Sequence, residues 1–115
     1  MKNYTSIEQA KKLVEFLPIK SADMGWNVFV DNTTRILPID DWDLSKNSGG
    51  NLKFYPAWSL AALLDVLPSG YVIVKNYHGL YYVESRDHER STNIFNNSVD
   101  ACVKMILELH EFKVL

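Results

Sequence analysis

Tyr71-Val72-Ile73-Val74-Lys75-Asn76 and, beyond Tyr77-His78-Gly79, Leu80-Tyr81-Tyr82-Val83-Glu84 set the architecture of this chain. Both runs are dominated by β-branched and aromatic residues, which fit a pleated surface, and a glycine-bearing turn joins them. The pattern predicts a β-hairpin. Alternation places Tyr81 and Val83 on one face and Leu80 and Tyr82 on the other, so both faces carry aromatic residues. A hairpin of that kind is either covered on both sides or offers an adhesive surface.

Helices flank it. Upstream, Pro56 to Leu67 reads as a short helix with proline in its first turn. Ala57, Trp58, Leu60, Ala61, Ala62, Leu63, Leu64, Val66 and Leu67 make it apolar nearly all round, a pattern expected of a helix covered on several sides, by the core or by a second subunit. Pro68-Ser69-Gly70 stops it. Downstream, residues 85–97 are polar, apart from Ile94-Phe95, which suggest a short edge strand. The last helix is expected to start with Ser98 as its N-cap and to run to about Glu111, with Asp100 placed favourably against the helix dipole. Val99, Cys102, Val103, Ile106, Leu107 and His110 form its stripe, and Phe112, Val114 and Leu115 are expected to dock against the body.

At the other end, residues 6–17 predict an amphipathic helix. Thr5 and Glu8 have the spacing of a capping box, and Ile7, Ala10, Leu13, Val14 and Leu17 recur at three and four. Pro18 ends it. Trp26 to Val30 reads as a strand that turns at Asp31-Asn32 and returns over Thr34 to Leu37, where Pro38 confines it to an edge. From Pro38 to Tyr55 no period is sustained, and this 38–55 segment is expected to be a long loop, of the kind that is either functional or mobile. The order is α-β-(β)-α-β-β-α: one α+β domain over residues 1–115, antiparallel hairpins with helices packed on one face. The endings Phe16-Leu17-Pro18 and Val66-Leu67-Pro68 are a faint echo of an α-β-β repeat.

Length and composition agree with a globular domain. The 115 residues are 47% hydrophobic and 23% charged, which argues against disorder and low complexity. With 12 basic and 14 acidic residues the net charge is −2, and the longest basic run is Lys11-Lys12. Nucleic-acid binding draws most of its affinity from a positive face, so that partner class is disfavoured. The first residues lack the apolar run of a secretion signal, and no 18-residue apolar stretch occurs, which predicts a cytoplasmic protein that does not enter a membrane. The sequons at Asn3, Asn32 and Asn96 are then chance matches.

The catalytic and metal motifs fail on inspection. Asp41-x-Asp43-x-Ser45 opens like a calcium loop, yet Lys46 stands where the sharp turn needs glycine and Leu52 where the bidentate glutamate belongs. Asp87-His88-Glu89 has no C-x-x-C or H-x-x-x-H companion and reads as a solvated loop. Cys102 and His110 share a helix face but lie about 12 Å apart along the axis, too far for a direct hydrogen bond. There is no nucleophile elbow, and Gly49-Gly50 lacks the spacing of a phosphate cradle. No metal or cofactor is expected, and Cys102 reads as a small buried hydrophobe.

Aromatics are the notable excess: three Trp, six Tyr and five Phe. Trp42, between Asp41 and Asp43, is expected to cap the core or anchor a partner. Together with Trp58, Tyr77, Tyr81 and Tyr82 it makes up the candidate set for binding a partner or ligand.

Three blocks also carry a resemblance. They are Ser6-Ile7-Glu8-Gln9-Ala10-Lys11-Lys12-Leu13 with Ser21-Ala22-Asp23-Met24, then Pro56-Ala57-Trp58-Ser59-Leu60-Ala61-Ala62-Leu63-Leu64, then Asn97-Ser98-Val99-Asp100-Ala101-Cys102-Val103-Lys104-Met105-Ile106. In these the sequence resembles a group of small uncharacterised proteins of gut bacteria carried by phages and other mobile elements. The segment from Gly25 to Tyr55 matches least. The resemblance implies no activity, ligand or catalytic residue. The expectation is therefore a non-enzymatic accessory or protein-interaction module that binds another protein or itself as a homodimer. The alternative is a small-ligand domain or minor enzyme whose pocket is gated by the 38–55 loop.

Overall fold

The first helix opens one residue later than its spacing predicts. A computed structural model of the chain describes residues 2–29, 31–38 and 51–115. In it, helix α1 (Ile7–Leu13) is capped by Ser6, which accepts from the Gln9 N–H while the Gln9 side chain accepts from the Ser6 N–H. The box is thus Ser6–Gln9 and not Thr5–Glu8. Thr5 is unavailable for capping because it is fully buried and bonded elsewhere. Its N–H donates to the Trp58 carbonyl at 2.9 Å, its Oγ1 accepts from the Trp58 N–H at 3.1 Å, and its carbonyl accepts from Trp26 Nε1 at 2.8 Å. Leu60 N–H reaches back to the Asn3 carbonyl at 3.2 Å, so residues 3–5 run beside 58–60 as a short extra strand. Ala10, Leu13 and Leu17 enter the core, whereas Val14 faces solvent.

After Pro18 and a 3₁₀ turn (Ile19–Ser21), strands β1 (Met24–Phe29), β2 (Thr34–Pro38) and β3 (Asn51–Ala57) form an antiparallel sheet in the order β2-β1-β3. The turn between β1 and β2 is held by Asp31, whose carboxylate accepts from the Thr33 N–H and hydroxyl, with Asn32 at φ 67°. Gly25 lies under the Phe54 ring, where a Cβ would overlap it.

Strand β3 corrects the sequence reading twice. Asn51 to Tyr55 had the look of loop, and Pro56-Ala57 that of a helix start; both are strand. The polar and glycine neighbours mask Lys53-Phe54-Tyr55, and Pro56 is accommodated because β3 is a sheet edge. Residues 39–50 of the expected 38–55 loop, Trp42 among them, lie outside the described residues, as does Val30.

Helix α2 (Leu60–Val66) consequently begins at Leu60, capped by Ser59, whose Oγ accepts from the Ala62 N–H. Asp23 in turn accepts from both the Ser59 N–H and its hydroxyl, tying the β1 entry to the helix start. Ala62 and Leu63 are buried, while Ala61, Leu64 and Asp65 face outward, so the helix is covered on one side rather than all round.

Strands β4 (Tyr71–Lys75) and β5 (Tyr81–Ser85) form the second, antiparallel sheet. Asn76 builds its turn: its Oδ1 accepts from the His78 and Leu80 N–H groups, and Gly79 takes φ 78°. Ile94-Phe95 is realised as an irregular edge, bridging Phe95 to Tyr81 and Ser91 to Glu84 along the far side of β5. Helix α3 (Ser98–Glu111) is capped by Asn97, one residue before the predicted Ser98, because the Asn97 amide oxygen reaches the Asp100 N–H at 2.8 Å. A chain of charge-assisted bonds joins the starts of α1 and α3. Lys2 Nζ and Gln9 Nε2 both donate to Asp100 Oδ1 at 2.7 Å, and Asn97 Nδ2 donates to Oδ2.

The result is an α+β protein in the predicted order, with β3 as an extra strand. One core cluster gathers Leu13, Trp58, Leu63, Val83, Val99, Cys102, Met105, Ile106 and Leu109 from every helix and from β5. Leu115 packs against it as expected, but Phe112 remains 66% exposed with the Arg90 guanidinium over its ring.

Candidate interaction surface

The hairpin register assigns its faces. Tyr71 lies opposite Ser85, Ile73 opposite Val83 and Lys75 opposite Tyr81, and in an antiparallel ladder opposed residues share a face. Tyr71, Ile73, Tyr81 and Val83 all meet the core, so this is the inner face, covered by the helices. The other face carries Val72 opposite Glu84 and Val74 opposite Tyr82. On this face Val74, Tyr82 and Glu84 are half-buried and Val72 is exposed. Val72 is 40% exposed and Ile94, which alternation sets opposite the inward Phe95, is 56% exposed. Tyr77 at the tip is 94% exposed, its ring against that of His78. Together these form an apolar strip on the outer side of a hairpin whose inner side is anchored.

The strip is held rigidly. Thr92 accepts from the Val83 N–H through its Oγ1 and donates its own N–H to the Val83 carbonyl, and Phe95 exchanges both backbone bonds with Tyr81. The loop between is braced at Ser85, whose N–H donates to the Arg90 carbonyl while its Oγ accepts from the Arg90 N–H. Asp87 accepts from the Ser85 hydroxyl at 2.5 Å and the Glu89 N–H at 3.1 Å, and these bonds hold its carboxyl below the ordinary carboxylate range. Glu84 has His88 at 3.3 Å.

The structure divides the sequence-derived candidates. Tyr77 and Tyr82 belong to the tip and outer face. Tyr81 lies on the inner face, with Lys75 Nζ 5.8 Å from its ring centre. Trp58 is fully enclosed and donates through Nε1 to Ser21 Oγ at 2.9 Å, which leaves no surface for a partner to touch. Trp42 lies outside the described residues. Sequence reasoning missed Val72 and Ile94, because a β-branched residue in a strand gives no local sign of which neighbours will cover it. Their places follow from alternation once Tyr81 and Phe95 are known to face inward.

The titratable residues are arranged for packing. Cys102 is buried, and burial pushes its thiol up to about 12. His110 falls outside the buried stripe and lies flat on Phe16 at 3.8 Å between ring centres. Among the described residues no group of three His, Cys, Asp or Glu side chains is placed to hold a metal ion, and no helix is long and apolar enough to cross a membrane. Shallow depressions of about 330, 370 and 290 Å³ lie between helices and loops. The chain has no significant match to any family model, curated protein or solved structure.

Proposed function

We propose that this protein is a cytoplasmic, non-enzymatic interaction module that associates with a second copy of itself through the outer side of the β4–β5 hairpin. The observation that carries the reading is the outer strip of Val72, Val74, Tyr82 and Ile94: apolar, partly open to water, and mounted on a sheet whose other face is locked into the core. A rigid, exposed apolar patch rimmed by polar residues is the usual mark of a protein-binding surface. The low net charge of −2 supports self-association over recruitment to a polyanion. The accessory role also fits the mobile-element setting implied by the three resembling blocks.

Sedimentation velocity across a dilution series tests it. The expected result is a concentration-dependent dimer that Ile94→Glu weakens at least tenfold, because a charge on the strip must be desolvated. A monomer at every concentration up to several hundred micromolar overturns the reading.

A further inference from the structure

We infer that the depression between helices α1 and α3 binds a small anionic amphiphile, a medium-chain carboxylate, with its head between Lys12 and Lys104 and its tail over Phe95, Val103 and Leu107. The site shares no residue with the outer strip of the hairpin, so it stands apart from the self-association proposed above.

The depression has a volume of about 290 Å³, and most of its polar groups are satisfied by one another. Asp100 accepts from Lys2 Nζ and Gln9 Nε2 on Oδ1 and from Asn97 Nδ2 on Oδ2. Gln9 Oε1 accepts in turn from Lys2 Nζ and the Ser6 N–H. The Asp100 charge is thus matched by Lys2 and not by Lys104, one turn further along α3. Glu8, one turn before Lys12 on α1, pairs with Lys11 at 3.9 Å instead. Lys12 has no acid within ion-pair distance among the described residues. Lys104 has Glu108 at 3.7 Å, longer than a hydrogen bond, and its side chain is 45% exposed, so that pair is a loose one. In a protein of net charge −2, this rim therefore presents two cations, one unpaired and one weakly paired.

The floor between them is apolar. Phe95 comes from the irregular edge beside β5, and Val103 and Leu107 come from successive turns of α3. Val103 is buried, while Phe95 and Leu107 are half-buried, packed against the core on one side and lining the depression on the other. An ion without a tail would leave this floor wet, and a neutral hydrocarbon would leave the two ammonium groups without an anion. A molecule with one charged end and one apolar end meets both needs. Lysine suits such a guest, because its methylene stem extends the apolar wall while the ammonium stays at the rim. The small volume favours a single short chain over a two-tailed lipid.

An amide NMR titration of the isotope-labelled protein with octanoate tests the site. Octanoate is expected to bind with a Kd below about 1 mM and to move the amides of Lys12, Phe95, Val103, Lys104 and Leu107 first. Octanol keeps the tail without the charge and acetate the head without the tail; each should bind about tenfold more weakly. Lys12→Gln/Lys104→Gln should lose about tenfold in octanoate affinity, the worth of two exposed charge pairs, and the parent's affinity should fall as salt is added. Both lysines are exposed, so the double variant is expected to melt with the parent. Octanol binding as tightly as octanoate would overturn the inference, as would parental affinity in the double variant. A response centred on Val72, Tyr82 and Ile94 would place the amphiphile on the outer strip and overturn it too. So would the absence of any response to millimolar octanoate.

Discussion

Replacing Thr5 by valine should destabilise the protein far more than an ordinary change in the residue before a helix. The side chain is fully buried and its Oγ1 is the acceptor for the N–H of Trp58, itself fully buried. Valine keeps the shape and removes the acceptor, stranding that N–H where no water reaches; an unsatisfied buried donor costs about 1–3 kcal/mol. With an unfolding entropy of roughly 0.24 kcal/mol/K for 115 residues, each kcal/mol lowers Tm by about 4 °C. The expected fall is therefore about 4–12 °C by calorimetry. Hydrogen exchange localises it: the Trp58 amide should lose protection in Thr5→Val beyond the global change. Ser6→Ala, which removes the true cap, should cost about 1 kcal/mol without singling out Trp58. A Thr5→Val protein as stable as the parent, or with an unchanged Trp58 amide, would refute the reasoning.

Three further outcomes follow from the same geometry. Burial alone would raise the Asp100 carboxyl, but hydrogen bonds from Lys2, Asn97 and Gln9, with the Lys2 charge, outweigh it and hold it below its ordinary value. A lowered folded-state pKa adds stability above the unfolded value of about 3.9 and loses it as pH falls through and below that point. The stability gap between the parent and Asp100→Asn, measured by urea melts, should thus be largest near neutrality and narrow as pH falls below about 3.9. Cys102, buried and with its thiol pushed up to about 12, should react with a thiol reagent only as fast as the protein unfolds, and rapid labelling of the native state would contradict its placement. Arg90 Nη1 is shut off from solvent without a hydrogen-bond partner among the described residues, while the guanidinium lies over Phe112 at 5.2 Å. Arg90→Met keeps the stacking volume and removes the stranded donor, so Tm should hold or rise by up to about 4 °C, whereas Arg90→Ala should lower it.

What was legible in the chain was what short-range periodicity encodes. The β4–β5 hairpin, its glycine turn, the β1–β2 return and the Val99, Cys102, Val103 and Ile106 part of the α3 stripe follow from alternation or helical spacing, whereas His110 lies outside that stripe and Ala101, Met105 and Leu109 complete it. Apart from the α3 cap, where Asn97 reaches the Asp100 N–H in place of Ser98, the misreadings share one cause, a long-range partner that overrides a local preference. Thr5 has the spacing of a cap, but Trp58 takes its hydroxyl. Pro56 reads as a helix start, but the pairing of Pro56 with Gly25 keeps that segment extended until Ser59 and Asp23 open the helix. Lys53-Phe54-Tyr55 is too short a β signal to stand out from its polar neighbours and is drawn into a strand by β1. The candidate surface was half legible: the aromatic hairpin was evident, while the burial of Trp58 and Tyr81 against the openness of Val72 and Ile94 depends on where the helices lie.

The seating of the chain's opening residues has a temporal side. Thr5 is bonded to a residue 53 positions away, and Lys2 to one 98 positions away. Helix α1 has seven residues, too few to persist in water without its packing. On a ribosome adding about 5–20 residues per second, these partners emerge some 3–20 s after the residues they bond. Through that interval Ala10, Leu13 and Leu17 have no core to enter. The core that α1 joins is complete only once α3 arrives, so α1 emerges well before it is secured.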